Sequence, residues 1–236
     1  KLKRTVDRMF VILPFEEQFF RKFDWEVDYV GNPVMDAVEK YQANTGNITR
    51  ENTVALLPGS RKQELIYLLP EMKSLAAAHP EVSFFVATVD NLDKELYSDI
   101  LKLPNVLPFE GNTYDLLSSA RAAVVTSGTA TLETALFKVP QVVIYRANAI
   151  TYAIGSRLVK VPYISLVNLI ADAPVVEELL QGGLNPDSLN AAFIKIWKNG
   201  AYRQDMMRSY ENIHDILSVG KASENAAKLM VEDLQS

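Results

Sequence analysis

Thr53-Val-Ala-Leu-Leu-Pro-Gly-Ser-Arg61 and Val124-Val-Thr-Ser-Gly-Thr-Ala-Thr-Leu-Glu133 follow one plan: an apolar run, a small-residue turn with a glycine, then sequence of helical period. Residues 53–57 and 122–125 read as buried strands, and residues 62–78 and 130–138 as the helices they feed. Within 62–78, Leu65, Leu68, Leu69, Met72, Leu75 and Ala76 recur at three- and four-residue spacing, which gathers them on one helical face. Outward from these passages the alternation continues. Residues 82–86, 105–107 and 141–145 predict strands, and 92–101, 113–120 and 150–159 predict helices. Strands that are apolar throughout, alternating with helices, predict an α/β fold: a Rossmann-like parallel sheet with helices on both faces. From about residue 175 the chain predicts helix almost throughout, with Pro186 opening one segment as proline does at a first turn. Upstream, residues 9–13 are strand-like and stop at Pro14, residues 16–22 predict a short helix, and residues 27–30 a strand ending at Gly31-Asn-Pro33. The polar passage 41–52 has little to bury and reads as an inter-domain linker.

The composition narrows the function classes. The 236 residues carry 24 Lys and Arg against 29 Asp and Glu, a net charge of −5, which argues against bulk nucleic-acid binding. The 48% hydrophobic and 22% charged fractions are those of a folded globular chain and exclude disorder. With no Cys there is no disulfide, thiol nucleophile or thiolate metal site, and two histidines, His79 and His214, make an imidazole metal cluster a poor expectation. No apolar run approaches the ~20 residues of a membrane-spanning helix. The sequence starts at Lys1 and is already strand-like by Met9, so it reads as beginning in mid-fold.

In such sheets ligands bind beyond the carboxyl ends of the strands, where strand-to-helix turns aim backbone N–H groups at them. Both passages supply such a turn. In the first, Gly59 permits a tight turn, Ser60 is placed to cap the helix with Gln63, and Arg61 follows. A cation at a helix N-terminus opposes the macrodipole, unless an anion binds there and converts Arg61 into an asset. In the second, Ser127, Gly128 and Thr129 offer hydroxyls and N–H groups, and Glu133 one turn later is placed to accept from a ribose diol. Each has a plainer reading: a solvated Arg61 beside a capping turn, Thr129 as a simple cap, and Glu133 at the positive helix end. Neither turn carries the glycine and lysine spacing of a P-loop or a dinucleotide fingerprint. Together the two anion-ready turns suggest a diphosphate. Asn168 stands inside an apolar run and is either a core amide bonded to a loop or a ligand-facing one.

The ordered set of Ile12-Leu-Pro-Phe-Glu16 with Phe19 and Phe20, Tyr29-Val-Gly-Asn-Pro33 with Asp36, Leu56-Leu-Pro-Gly-Ser-Arg61 with Glu64, Ser127-Gly-Thr-Ala-Thr-Leu-Glu133, Tyr145-Arg146, and Ser165-Leu-Val-Asn-Leu-Ile-Ala171 with Glu178-Leu-Leu-Gln181 resembles the lipid-A-disaccharide synthase family. The resemblance implies one half of a GT-B type glycosyltransferase with a helical C-terminus. Residues 1–45 would be the last elements of an N-terminal acceptor domain, 46–220 the UDP-sugar-binding domain, and 221–236 a C-terminal helix. It implies transfer of 2,3-diacylglucosamine from UDP-2,3-diacylglucosamine to 2,3-diacylglucosamine 1-phosphate, with inversion and with no cofactor or metal. It also implies a cytoplasmic enzyme peripheral to the inner membrane, with a homodimer as one allowed state. Gly59, Ser60, Arg61, Ser127, Gly128, Thr129, Glu133 and Asn168 would hold the UDP-sugar, with Arg61 and Asn168 acting in catalysis. The general base would come from the N-terminal half, so the chain by itself is expected to bind without catalysing. Val167 and Asp172 depart from the usual Pro and Gly, and Asn32 and Phe20 from a common His and Tyr. The alternatives are an epimerase-like or other sugar-nucleotide enzyme of the same architecture, or a UDP-sugar-binding module.

Overall fold

The computed structural model describes residues 3, 5–45, 52–147 and 162–235. Four short elements come first: β1 (Phe10–Val11), α1 (Pro14–Arg21), β2 (Asp28–Tyr29) and α2 (Pro33–Asn44). Pro14 ends the first strand by opening α1, where its missing N–H is no loss. Strands β1 and β2 pair in parallel as a separate two-stranded sheet. Asn32 caps α2, its side-chain oxygen accepting from Val34 N at 2.9 Å while its amide donates to Ile12 O at 2.9 Å. The polar passage expected to start a linker at Tyr41 is therefore helical as far as Asn44, and residues 46–51 lie outside the described part. The cause is tertiary: the Tyr41 ring packs edge-on against Tyr114 and Phe137.

The main sheet follows, with β3 (Thr53–Leu57), β4 (Ser83–Ala87), β5 (Val106–Phe109), β6 (Ala122–Thr126), β7 (Gln141–Tyr145) and β8 (Glu177–Leu180). Its order is β5-β4-β3-β6-β7-β8 and every neighbouring pair is parallel. The helices are α3 (Lys62–Ala78), α4 (Thr113–Ser119), α5 (Thr129–Leu136), α6 (Leu166–Ala171), α7 (Pro186–Lys198), α8 (Gly200–Leu217) and α9 (Ala222–Gln235). Helix α3 packs on α7, whereas α5 packs on α2, α6 and α8. Right-handed crossovers running in opposite directions from the sheet centre put these two groups on opposite faces. Strand β3 leads toward β4 on one side and β6 toward β7 on the other, so the order reverses between β3 and β6. Leu57 lies opposite Val125, so both central strands end at nearly the same level. Val54, Ala55, Leu56, Val124 and Val125 are wholly or almost wholly buried, as continuous apolar strands covered on both sides must be. The six apolar positions of α3 are all buried.

Two expectations are corrected. Residues 92–101 form two 3₁₀ turns, Lys94–Tyr97 and Ile100–Lys102, in place of one α-helix. Tyr97 and Ile100, three apart, are the buried residues, which matches the tighter repeat. The second is β8. Glu177-Glu-Leu-Leu180, expected within a helical run, is an edge strand beside β7, because that open edge supplies a ladder that helix propensity cannot outweigh. The helix expected over 150–159 lies outside the described residues.

Helix α9 returns to the first elements. Ala222 N donates to Asp36 Oδ2 at 2.9 Å, Asn225 Nδ2 to Val30 O at 3.0 Å, and Arg8 Nη1 to Leu229 O at 3.2 Å. Gly31, at φ +103°, allows the approach, since a Cβ there would lie 3.0 Å from Gly220 O. Met35 and Val38 of α2 belong to the same apolar core as the main sheet. Among the described residues no helix is long and apolar enough to cross a membrane.

Candidate active site

At the carboxyl ends of β3 and β6, where the strand order reverses, lies a cleft of about 330 Å³. This is the position at which an open parallel sheet presents diverging turns to a ligand. Its lining includes Gly59, Ser60 and Arg61 of the β3–α3 turn with Glu64 of α3, Ser127 and Gly128 of the β6–α5 turn with Thr129 and Glu133 of α5, and Ala87 to Val89 at the end of β4. Seven of the eight residues expected at the site thus share one cleft.

The two turns offer different chemistry. At α5 no side chain caps the helix, so its first N–H groups are left to water or a ligand. A Cβ on Gly128 would meet nothing within 4 Å, so that side of the turn is open. Thr129 is the first helical residue and does not act as the cap. The Ser127 hydroxyl donates to Ile164 O at 2.9 Å, tying the turn to the loop before α6, and keeps its lone pairs for an incoming donor.

In the first turn Glu64 is central. Its Oε2 accepts from Ser60 N at 3.1 Å and from Arg61 N at 3.2 Å, and its Oε1 takes Arg61 Nη1 at 3.0 Å. The expected Ser60–Gln63 cap is not formed, because helix α3 begins at Lys62 and the carboxylate three residues beyond Arg61 reaches the N–H groups first. Gly59, at φ +103°, makes this possible: a Cβ would sit 2.2 Å from Glu64 Oε2. The Arg61 side chain is 82% exposed, against 14% for Glu64, so the guanidinium is anchored at one edge and otherwise open. Among the described lining residues Arg61 is the one cation.

Burial raises the Glu133 carboxyl above its ordinary range, and the Tyr114 hydroxyl, donating to Oε1 at 3.1 Å, acts in the opposite direction. Burial, with the charge of Glu133 beside it, pushes Tyr114 up to about 12. Glu133 therefore enters the cleft as a hydrogen-bonded acceptor with no cation paired to it among the described residues.

Asn168 does not line this cleft. It is 1% exposed, and its amide donates to Val176 O at 2.9 Å and Glu178 Oε1 at 2.8 Å while its oxygen accepts from Val176 N at 2.9 Å. Glu178 also accepts from Ile164 N, Ser165 N and the Ser165 hydroxyl. The pair Asn168–Glu178 holds the loop to which Ser127 is bonded. Asp172, where the resembling family usually has Gly, ends α6 at φ +48°, the left-handed conformation that favours glycine. Neither Glu64 nor Tyr114 was assigned a role from sequence. Glu64 had the capping spacing, but an Arg in the cap position hid it, and Tyr114 meets Glu133 only through the fold.

The chain matches the family model described as lipid-A-disaccharide synthetase over residues 1–231. It is 41% identical over 235 residues to the lipid-A-disaccharide synthase of Syntrophus aciditrophicus, covering 94% of this chain and 61% of that protein. The Myxococcus xanthus enzyme of the same name is 38% identical over 245 residues, covering 98% and 63%. This chain thus spans about three fifths of the length of these curated relatives. In fold it is similar to a putative UDP-N-acetylglucosamine 2-epimerase from Listeria monocytogenes, with a TM-score of 0.64 at 13% identity, covering 98% of this chain and 61% of that one. With the paired turns, the Rossmann-like order and the family match over nearly the whole chain in agreement, the protein belongs to the lipid-A-disaccharide synthetase family.

Proposed function

We propose that this chain is the nucleotide-sugar-binding part of an inverting glycosyltransferase. The reaction moves 2,3-diacylglucosamine from UDP-2,3-diacylglucosamine to 2,3-diacylglucosamine 1-phosphate and yields lipid A disaccharide 1-phosphate and UDP. The observation that carries this reading is the meeting of the Arg61 turn, the uncapped N-terminus of α5 and Glu133 in one cleft at the strand-order reversal. Breaking the anomeric carbon–oxygen bond leaves charge on the departing diphosphate. The guanidinium and the α5 N–H groups are placed to receive it without reorganising. Glu133 takes the ribose diol. The acceptor hydroxyl forms the new glycosidic bond and loses its proton to a base, which belongs to the part of the longer relatives that this chain does not span. Both substrates are acylated, so the reaction takes place at a membrane surface, the inner membrane in this reading, with the enzyme peripheral to it.

Calorimetry of the chain with UDP tests the proposal. Arg61→Ala is expected to weaken UDP binding about 10- to 100-fold, the loss of a hydrogen bond to a charged group. Absence of UDP binding at millimolar concentration overturns the reading. Turnover by the longer enzyme of non-acylated donor alone would favour an epimerase-like or other sugar-nucleotide activity.

A further inference from the structure

Tyr114 is held at its backbone, its ring and its hydroxyl. Its backbone N–H donates to Asn112 Oδ1 at 3.0 Å at the start of α4. Its ring lies 5.5 Å from Tyr41 and 5.1 Å from Phe137, the residue that closes α5. Tyr41 in turn bonds through its hydroxyl to Asp115, next along α4. The Tyr114 hydroxyl then reaches Glu133 Oε1, and among the described residues it is the one donor to that carboxylate. Its neighbour Thr113 lines the same cleft as Glu133.

We infer that Tyr114 is a positioning residue for nucleotide binding: it fixes the Glu133 carboxylate so that the remaining lone pairs meet the vicinal diol of a ribonucleoside diphosphate. This rests on the reading of Glu133 as the ribose acceptor. A carboxylate on a helix has three rotatable side-chain bonds, and a diol must otherwise bear the cost of ordering them. A phenol anchored by two aromatic neighbours removes that freedom before the ligand arrives. The site consequently prefers ribose over a sugar lacking the diol by more than an untethered carboxylate would.

The test compares UDP with 2′,3′-dideoxy-UDP by calorimetry on the whole chain. Tyr114→Phe keeps the ring in place and removes the hydroxyl. It is expected to weaken UDP about 2- to 12-fold, in keeping with the cost of ordering one freed carboxylate side chain, and to leave dideoxy-UDP unchanged. In a Glu133→Ala background the same substitution is expected to change neither ligand. Equal weakening of both ligands by Tyr114→Phe means a structural role and overturns the inference. An undiminished preference for UDP in the variant overturns it as well. If the unsubstituted chain does not distinguish the two ligands, the ribose reading of Glu133 fails first and the inference with it. Thermal melting of each variant identifies loss of folding; should Tyr114→Phe not fold, the comparison is made with Tyr114→Leu, which is smaller, apolar and carries no donor, and the same two outcomes decide.

Discussion

Glu133 shows at the residue scale how a carboxylate in a cleft costs stability. Its carboxyl is raised by burial, so ionisation is less favourable in the folded chain than in the unfolded one. An acid with a raised folded-state pKa destabilises the fold once pH exceeds its ordinary 4.5, and the cost is complete above the folded value. Glu133→Gln is therefore expected to raise the melting temperature at neutral pH, with the gain disappearing below pH 4.5. A variant equally or less stable at neutral pH would contradict the assigned electrostatics. At this scale the sequence was partly legible. Gly59, Arg61, Gly128 and Glu133 could be read from the turns because turn chemistry is local. Glu64 and Tyr114 could not, since their partners are set by which helix residue comes first and by packing between elements. Asn168 is legible only as a choice between two roles, and its bonds to Val176 and Glu178 depend on the placement of β8, which no local signal announces.

Among the elements, β8 is the instructive one. Glu and Leu are strong helix formers, and no local signal announces that residues 177–180 will lie along an open sheet edge. The strand carries Glu178 beneath the start of α6, where one carboxylate satisfies Ile164 N, Ser165 N, the Ser165 hydroxyl and the Asn168 amide. Glu178→Ala would leave several buried donors unpaired and is expected to lower unfolding free energy by about 2–4 kcal/mol, measured by denaturant titration. Loss of less than about 0.5 kcal/mol, the range of a neutral surface change, would show that water replaces it. Strands β3 and β7 and helix α3 were legible to the residue, because burial on two faces or along one helical stripe writes its own pattern into the sequence.

At the scale of the molecule, α9 is bonded to the elements that precede the main sheet. Removing residues 222–236 is expected to leave the six-stranded sheet intact and to loosen β1 and β2, for which α9 supplies partners at Val30 and Arg8. Hydrogen exchange checks this: the Val30 amide, bonded to Val11 O, should lose protection while those of Val54 and Val124 keep theirs. Uniform loss of protection would mean that the sheet also depends on α9. No local pattern reveals this arrangement, since the contacts join residues 195 and 221 positions apart. Such separations also set an order of events during synthesis. Residues 8–30 leave the ribosome before the main sheet does, and the helix that bonds to them follows it. The larger sheet can close while the smaller one is still waiting, and over that interval the Val30 carbonyl lacks the donor that Asn225 supplies.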